Sequence, residues 1–256
     1  MNLTYILVLV VIVLLAILLV AIIKNKKNEV AASNYIKENI PNMYSFLDKL
    51  SAEEKMDFYY RVEQFIRTHE FVGIKTKVEL KDKVLVASGL MMMLFRTKVS
   101  FVGNIGLVYI SNVPMEERRG TLPQSKSSTI LKTDKGFDIY INREELNYGF
   151  ENLEDNKNLL VHQFAHILDG LDGAIDGLPN LFIPPNKIDE WNVLAKKHMA
   201  SLKLEDTLEN RYIQKKRSEF FAMVTEHYFE NPKELEQKSP QLYTFLDKIF
   251  QGQSFD

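Results

Sequence analysis

Two histidines one helical turn apart, His162 and His166, stand in the segment NLLVHQFAHILD at 158–169. On a helix they share one face, so both imidazoles can reach a single ion. Such a pair is also common as a solvated or internally satisfied pair. Here Leu159, Leu160, Val161, Phe164, Ala165, Ile167 and Leu168 surround it, which predicts a helix buried nearly all round. Two buried histidines need partners, and an ion supplies one to both. The chain has five histidines (His69, His162, His166, His198 and His227) and no cysteine, so a transition metal must be held by His, Asp or Glu.

A site of this type needs a third ligand. Glu219, in SEFFA at 218–222, is an acid in an otherwise apolar helical stretch, placed there either at an exposed edge or beside a cation. Tyr212 lies two helical turns earlier on the same face. It could aim a phenol at a developing oxyanion, or simply pack. Glu226 repeats the seven-residue spacing and could orient a histidine, as could Asp169, three residues after His166. Both could equally be surface acids.

The residue after the first histidine carries the question of activity. In the HExxH pattern it is a glutamate, the general base toward the attacking water. This chain has Gln163. A neutral amide can hold a water but cannot take its proton at physiological pH. With no substitute carboxylate, a loss of about 10²–10⁴-fold in rate follows.

These residues must be positioned by a mixed set of elements. Ser51-Ala-Glu-Glu54 reads as a helix start, followed by an aromatic stripe at helical spacing that suits core packing. Gly73–Glu79 alternates like a strand, and Lys81–Leu94 reads as an apolar helix whose Met91–Met93 run fills core. Phe101–Ser111, Ser127–Leu131 and Phe137–Ile141 have strand character, with Lys135-Gly136 turning between the last two. Pro114–Lys126 reads as a surface loop. Helices are expected at about 156–169, 187–203, 208–230 and 240–251, with Gly170–Pro185 as a long connection. Strands followed by helices imply an α+β fold.

At the N-terminus, Leu3–Ile23 carries no charge over about 21 residues, enough for a hydrocarbon core of ~30 Å. A cleaved signal peptide is the competing reading. The segment lacks a basic start, and Lys24, Lys26 and Lys27 sit where cleavage would occur. The expected organisation is a transmembrane anchor at 1–24, a polar tether and short helices at 25–50, and one domain at 51–256. Lysines flanking only the C-terminal end place that domain on the cytoplasmic side. A net charge of −2 and a pI near 6.3 give no basic field, which argues against direct nucleic-acid binding.

Two motifs carry a family resemblance. VHQFAHILDGLDGAIDGLPNL (161–181) and YIQKKRSEFFAMVTEHYFENP (212–232) resemble the motifs HEFAHxLDxxDGxxDGxPxL and YGATNPAEFFAVxxEYFFExP of the Mlc titration factor A family, the glucose-regulated zinc metallopeptidases. Thr68–Leu94 and PQLYTFLDKIF (240–250) are similar as well, so the likeness covers roughly 55–250. It implies a zincin-like α+β domain related to the catalytic domain of anthrax lethal factor. It further implies Zn2+ on His162, His166 and Glu219, with Tyr212 near the active site. The family's prototype binds a glucose-responsive transcriptional repressor and has aminopeptidase-like activity, which implies a peptide or protein ligand here. This chain departs from the pattern at Gln163 and in the basic segment Ile213–Ser218.

Overall fold

The structure, a computed structural model, describes residues 3–40, 45–97, 102–113, 115–119, 122–126, 128–201 and 217–255. It divides into two compact units, Met1–Lys49 and Leu50–Asp256.

The first unit holds helices α1 (Leu3–Asn39) and α2 (Ser45–Asp48). Asn25–Ser33, expected as a tether, is part of α1. The segment contains neither glycine nor proline, so nothing in it stops a helix already propagating through the apolar run. The apolar side chains described in α1 run from Val10 to Ile23 and are exposed, as is Tyr5. Among the described residues, no helix is long and apolar enough to cross a membrane. The expected span Leu3–Ile23 therefore falls partly outside the described side chains.

In the second unit, α3 (Ala52–Thr68) opens with the expected cap. The Ser51 hydroxyl accepts from the Glu54 amide at 3.2 Å, and the Glu54 carboxylate accepts from the Ser51 amide at 2.8 Å. Strand β1 (Phe71–Ile74) is shorter than the alternating pattern predicted. Lys75 turns into the left-handed region at φ 54°, which ends the strand and redirects the chain. Arg143 secures that turn, donating to the Thr76 hydroxyl at 2.9 Å and to the buried Asp82 at 2.7 and 2.9 Å.

Helix α4 (Leu80–Leu94) is buried along most of its length, with Met91–Met93 in the core as expected. It is the crossover between β1 and β2 (Ile105–Ser111), which pair in parallel. Strands β3 (Met115–Arg119) and β4 (Leu122–Lys126) form an antiparallel hairpin where a loop was expected. Their residues, Glu-Glu-Arg-Arg and Pro-Gln-Ser-Lys, show no apolar alternation, so the sequence carries no strand period there. Strands β5 (Ser128–Thr133) and β6 (Gly136–Asn142) complete a four-stranded sheet of order β1-β2-β6-β5, in which only β5, at the edge, runs antiparallel.

One sheet face buries Val108, Ile110, Ile139 and Ile141. The other carries Tyr109 and Tyr140, stacked with ring centroids 4.2 Å apart. Helices α5 (Arg143–Glu151), α6 (Leu159–Asp169), α7 (Ile188–Ser201), α8 (Arg217–Glu230), α9 (Pro232–Lys238) and α10 (Pro240–Phe250) follow. The mixed α+β class is the expected one. Helices α5 and α9 were not expected, and residues 202–216, including Tyr212, lie outside the described residues.

Helix α6 is central and buried nearly all round. Its neighbour α4 approaches so closely that a β-carbon on Gly89 would meet Leu160 Cδ2 at 2.7 Å. Helix α8 is held from the other side, where Trp191 of α7 packs among Phe220, Phe221 and Phe245.

Candidate metal centre

Helix α6 starts at Asn158, whose side-chain oxygen accepts from the Val161 amide at 3.2 Å. That cap fixes the helix phase, and with it the face on which His162 and His166 emerge. Their Nε2 atoms lie 3.1 Å apart. Glu219 reaches in from the first turn of α8, its Oε2 3.3 Å from His162 Nε2 and 3.5 Å from His166 Nε2. The three ligand-type atoms lie within 4.8 Å of one another, and among the described residues no other such group of His, Asp and Glu occurs.

These separations bear directly on what the site can hold. Ligand atoms ~2.0–2.1 Å from a tetrahedral metal lie ~3.3 Å from each other. The observed 3.1, 3.3 and 3.5 Å bracket that value. Two imidazole nitrogens facing a carboxylate oxygen this closely need a cation between them, either a proton or a metal. The donor set, two imidazoles and a carboxylate, fits a catalytic-type zinc centre.

Charge in the site follows from the same geometry. Burial lowers His162, but hydrogen bonds and charge from Glu219 and Glu226 outweigh it and push the imidazole up to about 9. Burial raises Glu219, and His162 and His166 more than reverse this, holding its carboxyl well below the usual carboxylate range. The metal-free site therefore keeps a proton where a divalent ion would sit.

Behind His162 stands a continuous polar chain. His162 Nδ1 lies 2.9 Å from Glu226 Oε2, which leaves Nε2 to face the site. Glu226 Oε1 accepts from the Asn158 amide at 3.0 Å. The Asn158 side-chain NH2 donates to Glu230 Oε1 at 3.0 Å and to the Gly149 carbonyl at 2.9 Å. Burial pushes Glu230 up to about 7. Asn158 and Glu230 were not singled out from sequence. The signals were present: an Asn before an apolar helical run, and an acid four residues after Glu226 on one face.

The other predicted residues are placed as follows. Asp169 is fully buried, and its Oδ2 accepts from the Gly177 amide at 2.7 Å. Its Oδ1 and His166 Nδ1 are buried without hydrogen-bond partners among the described residues. Burial pushes Asp169 up to about 7. Gln163 is 8 % exposed, and its amide makes no hydrogen bond among the described residues. Tyr212 lies outside them.

The sequence profile described as glucose-regulated metallo-peptidase M90 matches residues 21–251. The chain belongs to this family. The match begins well before residue 55, where the motif resemblance had started. An uncharacterized protein of Synechocystis sp. is 25% identical over 219 residues, covering 80% of this chain and 79% of its own length. A second relative, named Mlc titration factor A, from Pectobacterium atrosepticum, is 29% identical over 120 residues, covering 44% of each chain. In this chain Gln163 follows His162, the first histidine of the cluster.

Proposed function

We propose that this M90 protein is a zinc-binding member of its family with a zincin-like domain, in which peptide hydrolysis is weakened or lost and the cleft serves to bind a peptide or protein. The observation that carries this reading is the pairing of a complete ligand set, His162, His166 and Glu219, with Gln163 at the base position. Zinc, when bound, supplies Lewis acidity and a positive charge to polarise a carbonyl. His162 and His166 present Nε2, and Glu226 holds His162 by Nδ1. Asp169 secures the loop that leaves α6, through the Gly177 amide. Gln163 can donate to or accept from a bound ligand but cannot remove a proton. Tyr212 would stabilise an oxyanion in any residual turnover.

An active zinc aminopeptidase is the competing reading, with Asp169 or Glu226 acting as base through water. The contacts weigh against it. Glu226 is committed to His162 and to the Asn158 amide, and Asp169 to the Gly177 amide. A third reading, a binding module without metal, leaves three ligand-type atoms facing each other without purpose. The test is hydrolysis of aminoacyl-anilide and peptide substrates by wild type and by Gln163→Glu. Wild-type turnover within about tenfold of the variant would overturn the loss of base catalysis.

Leu3–Ile23 would anchor the protein as a single span in the cytoplasmic membrane, with the domain facing the cytoplasm. The support is the uncharged run Leu3–Ile23 followed, within α1, by Lys24, Lys26 and Lys27. Recovery of the full chain in the soluble fraction after gentle lysis would overturn it. The relative's name says that it titrates Mlc. A transcriptional regulator is accordingly one candidate protein ligand for the cleft, without any direct contact to nucleic acid.

A further inference from the structure

Glu219 reaches the site from the first described turn of α8. Two residues earlier on the same helix stands Arg217. Its guanidinium engages the loop that leaves α6 and helix α7. Nε donates to the Asp176 carbonyl at 2.8 Å, Nη1 donates to Asn192 Oδ1 of α7 at 2.8 Å, and Nη2 lies 3.4 Å from the Asp176 carboxylate.

The loop held by Arg217 is the one that leaves α6. Gly177, next to Asp176, is a junction for three elements. Its amide donates to Asp169 at the end of α6, and its carbonyl accepts from Trp191 Nε1 of α7 at 2.8 Å. Its α-carbon lies against Arg217 itself, where a β-carbon would meet the Arg217 carbonyl carbon at 2.3 Å. With φ at +78°, a glycine is needed here on two counts. The result is a closed path, from His166 three residues along α6 to Asp169, across to Gly177, across to Arg217, and two residues along α8 to Glu219.

We propose that Arg217 is a positioning residue whose clamp on Asp176 and Asn192 sets the reach of Glu219 toward His162 and His166, and so sets the affinity of the centre for a divalent metal. The inference rests on the reading of those three residues as ligands. An exposed ion pair of this kind contributes little to global stability. Its effect is local, because a shift of ~0.5 Å at the third ligand takes it out of productive geometry.

The test uses the full-length chain and zinc competition against a chromophoric chelator, alongside thermal unfolding of the metal-free protein. Arg217→Ala should weaken zinc binding by about tenfold or more, the range for groups that hold a ligand in place. The unfolding midpoint of the metal-free protein should move by no more than a few degrees. Asp176→Ala and Asn192→Ala, which leave the arginine in place, should weaken binding in the same direction. Asp176→Ala combined with Arg217→Ala should cost less than the sum of the two. Arg217→Lys should rescue only in part, since lysine lacks the fork that engages two acceptors. Zinc affinity within twofold of wild type in both Arg217→Ala and Asn192→Ala would overturn the clamp. So would affinity losses matched by equal losses of metal-free stability. Wild type that binds no zinc would instead overturn the ligand assignment on which the clamp rests.

Discussion

The two histidines of the centre sit on the same helix and present the same atom, yet what lies behind them differs. His162 is backed by Glu226, Asn158 and Glu230, a chain of hydrogen bonds running from the metal face to the cap of α6. His166 has a buried Nδ1 without a partner among the described residues, and the nearby acid Asp169 spends one oxygen on the loop to Gly177. The side of His162 is built to fix an imidazole tautomer. The side of His166 is built to fix a loop. Gln163 follows His162 on the same helix, and its amide makes no hydrogen bond among the described residues.

The largest way to break this contrast is to restore the base. Gln163→Glu should raise peptide hydrolysis by about 10²–10⁴-fold, read as kcat/KM on a peptide series. No gain would mean that more than the base is missing, or that another acid already serves. On the His162 side, Glu226→Gln removes the charge that holds Nδ1 and should weaken zinc binding by about 10–100-fold in a chelator competition. An unchanged affinity would show that the polar chain is only structural.

On the His166 side the expected effect lies in folding. Asp169→Ala leaves the buried Gly177 amide without its acceptor and should cost about 1–3 kcal/mol in urea unfolding of the metal-free protein. Unchanged stability would mean that the loop is held elsewhere. The smallest effect concerns Glu230. Its folded pKa of about 7 exceeds the reference value of 4.5, so between those values the folded state keeps a proton that the unfolded state has released. Its stabilising contribution is full at low pH and lost as pH rises through 7. The advantage of wild type over Glu230→Gln should therefore shrink from pH 5 to pH 8. A difference that is flat with pH would show that burial does not raise this carboxyl.

Much of the scaffold was legible because it follows strong local rules. The cap at Ser51, the apolar length of α4 and the buried face of α6 all read directly from residue spacing. The helix at Asn25–Ser33 was missed because a polar composition suggested a tether, although the segment contains no helix breaker. The β3–β4 hairpin was missed because polar strands carry no period of two, and β1 was overextended because alternation does not reveal the turn at Lys75. At the site, His162, His166 and Glu219 could be named from spacing and resemblance, and the structure brings them together. Asn158 and Glu230 carry local signals, a cap position and an acid one turn after Glu226, but Gly177 and Arg217 do not, since their roles depend on which loop returns to which helix.

The central claim is that His162, His166 and Glu219 form a zinc centre although the catalytic base is gone. Its most direct test is the zinc content of the full-length chain purified without chelators, measured beside Glu219→Ala. The account predicts about one equivalent per chain in wild type and near-complete loss in the variant. Less than about 0.2 equivalents in wild type, or full retention in Glu219→Ala, would contradict it.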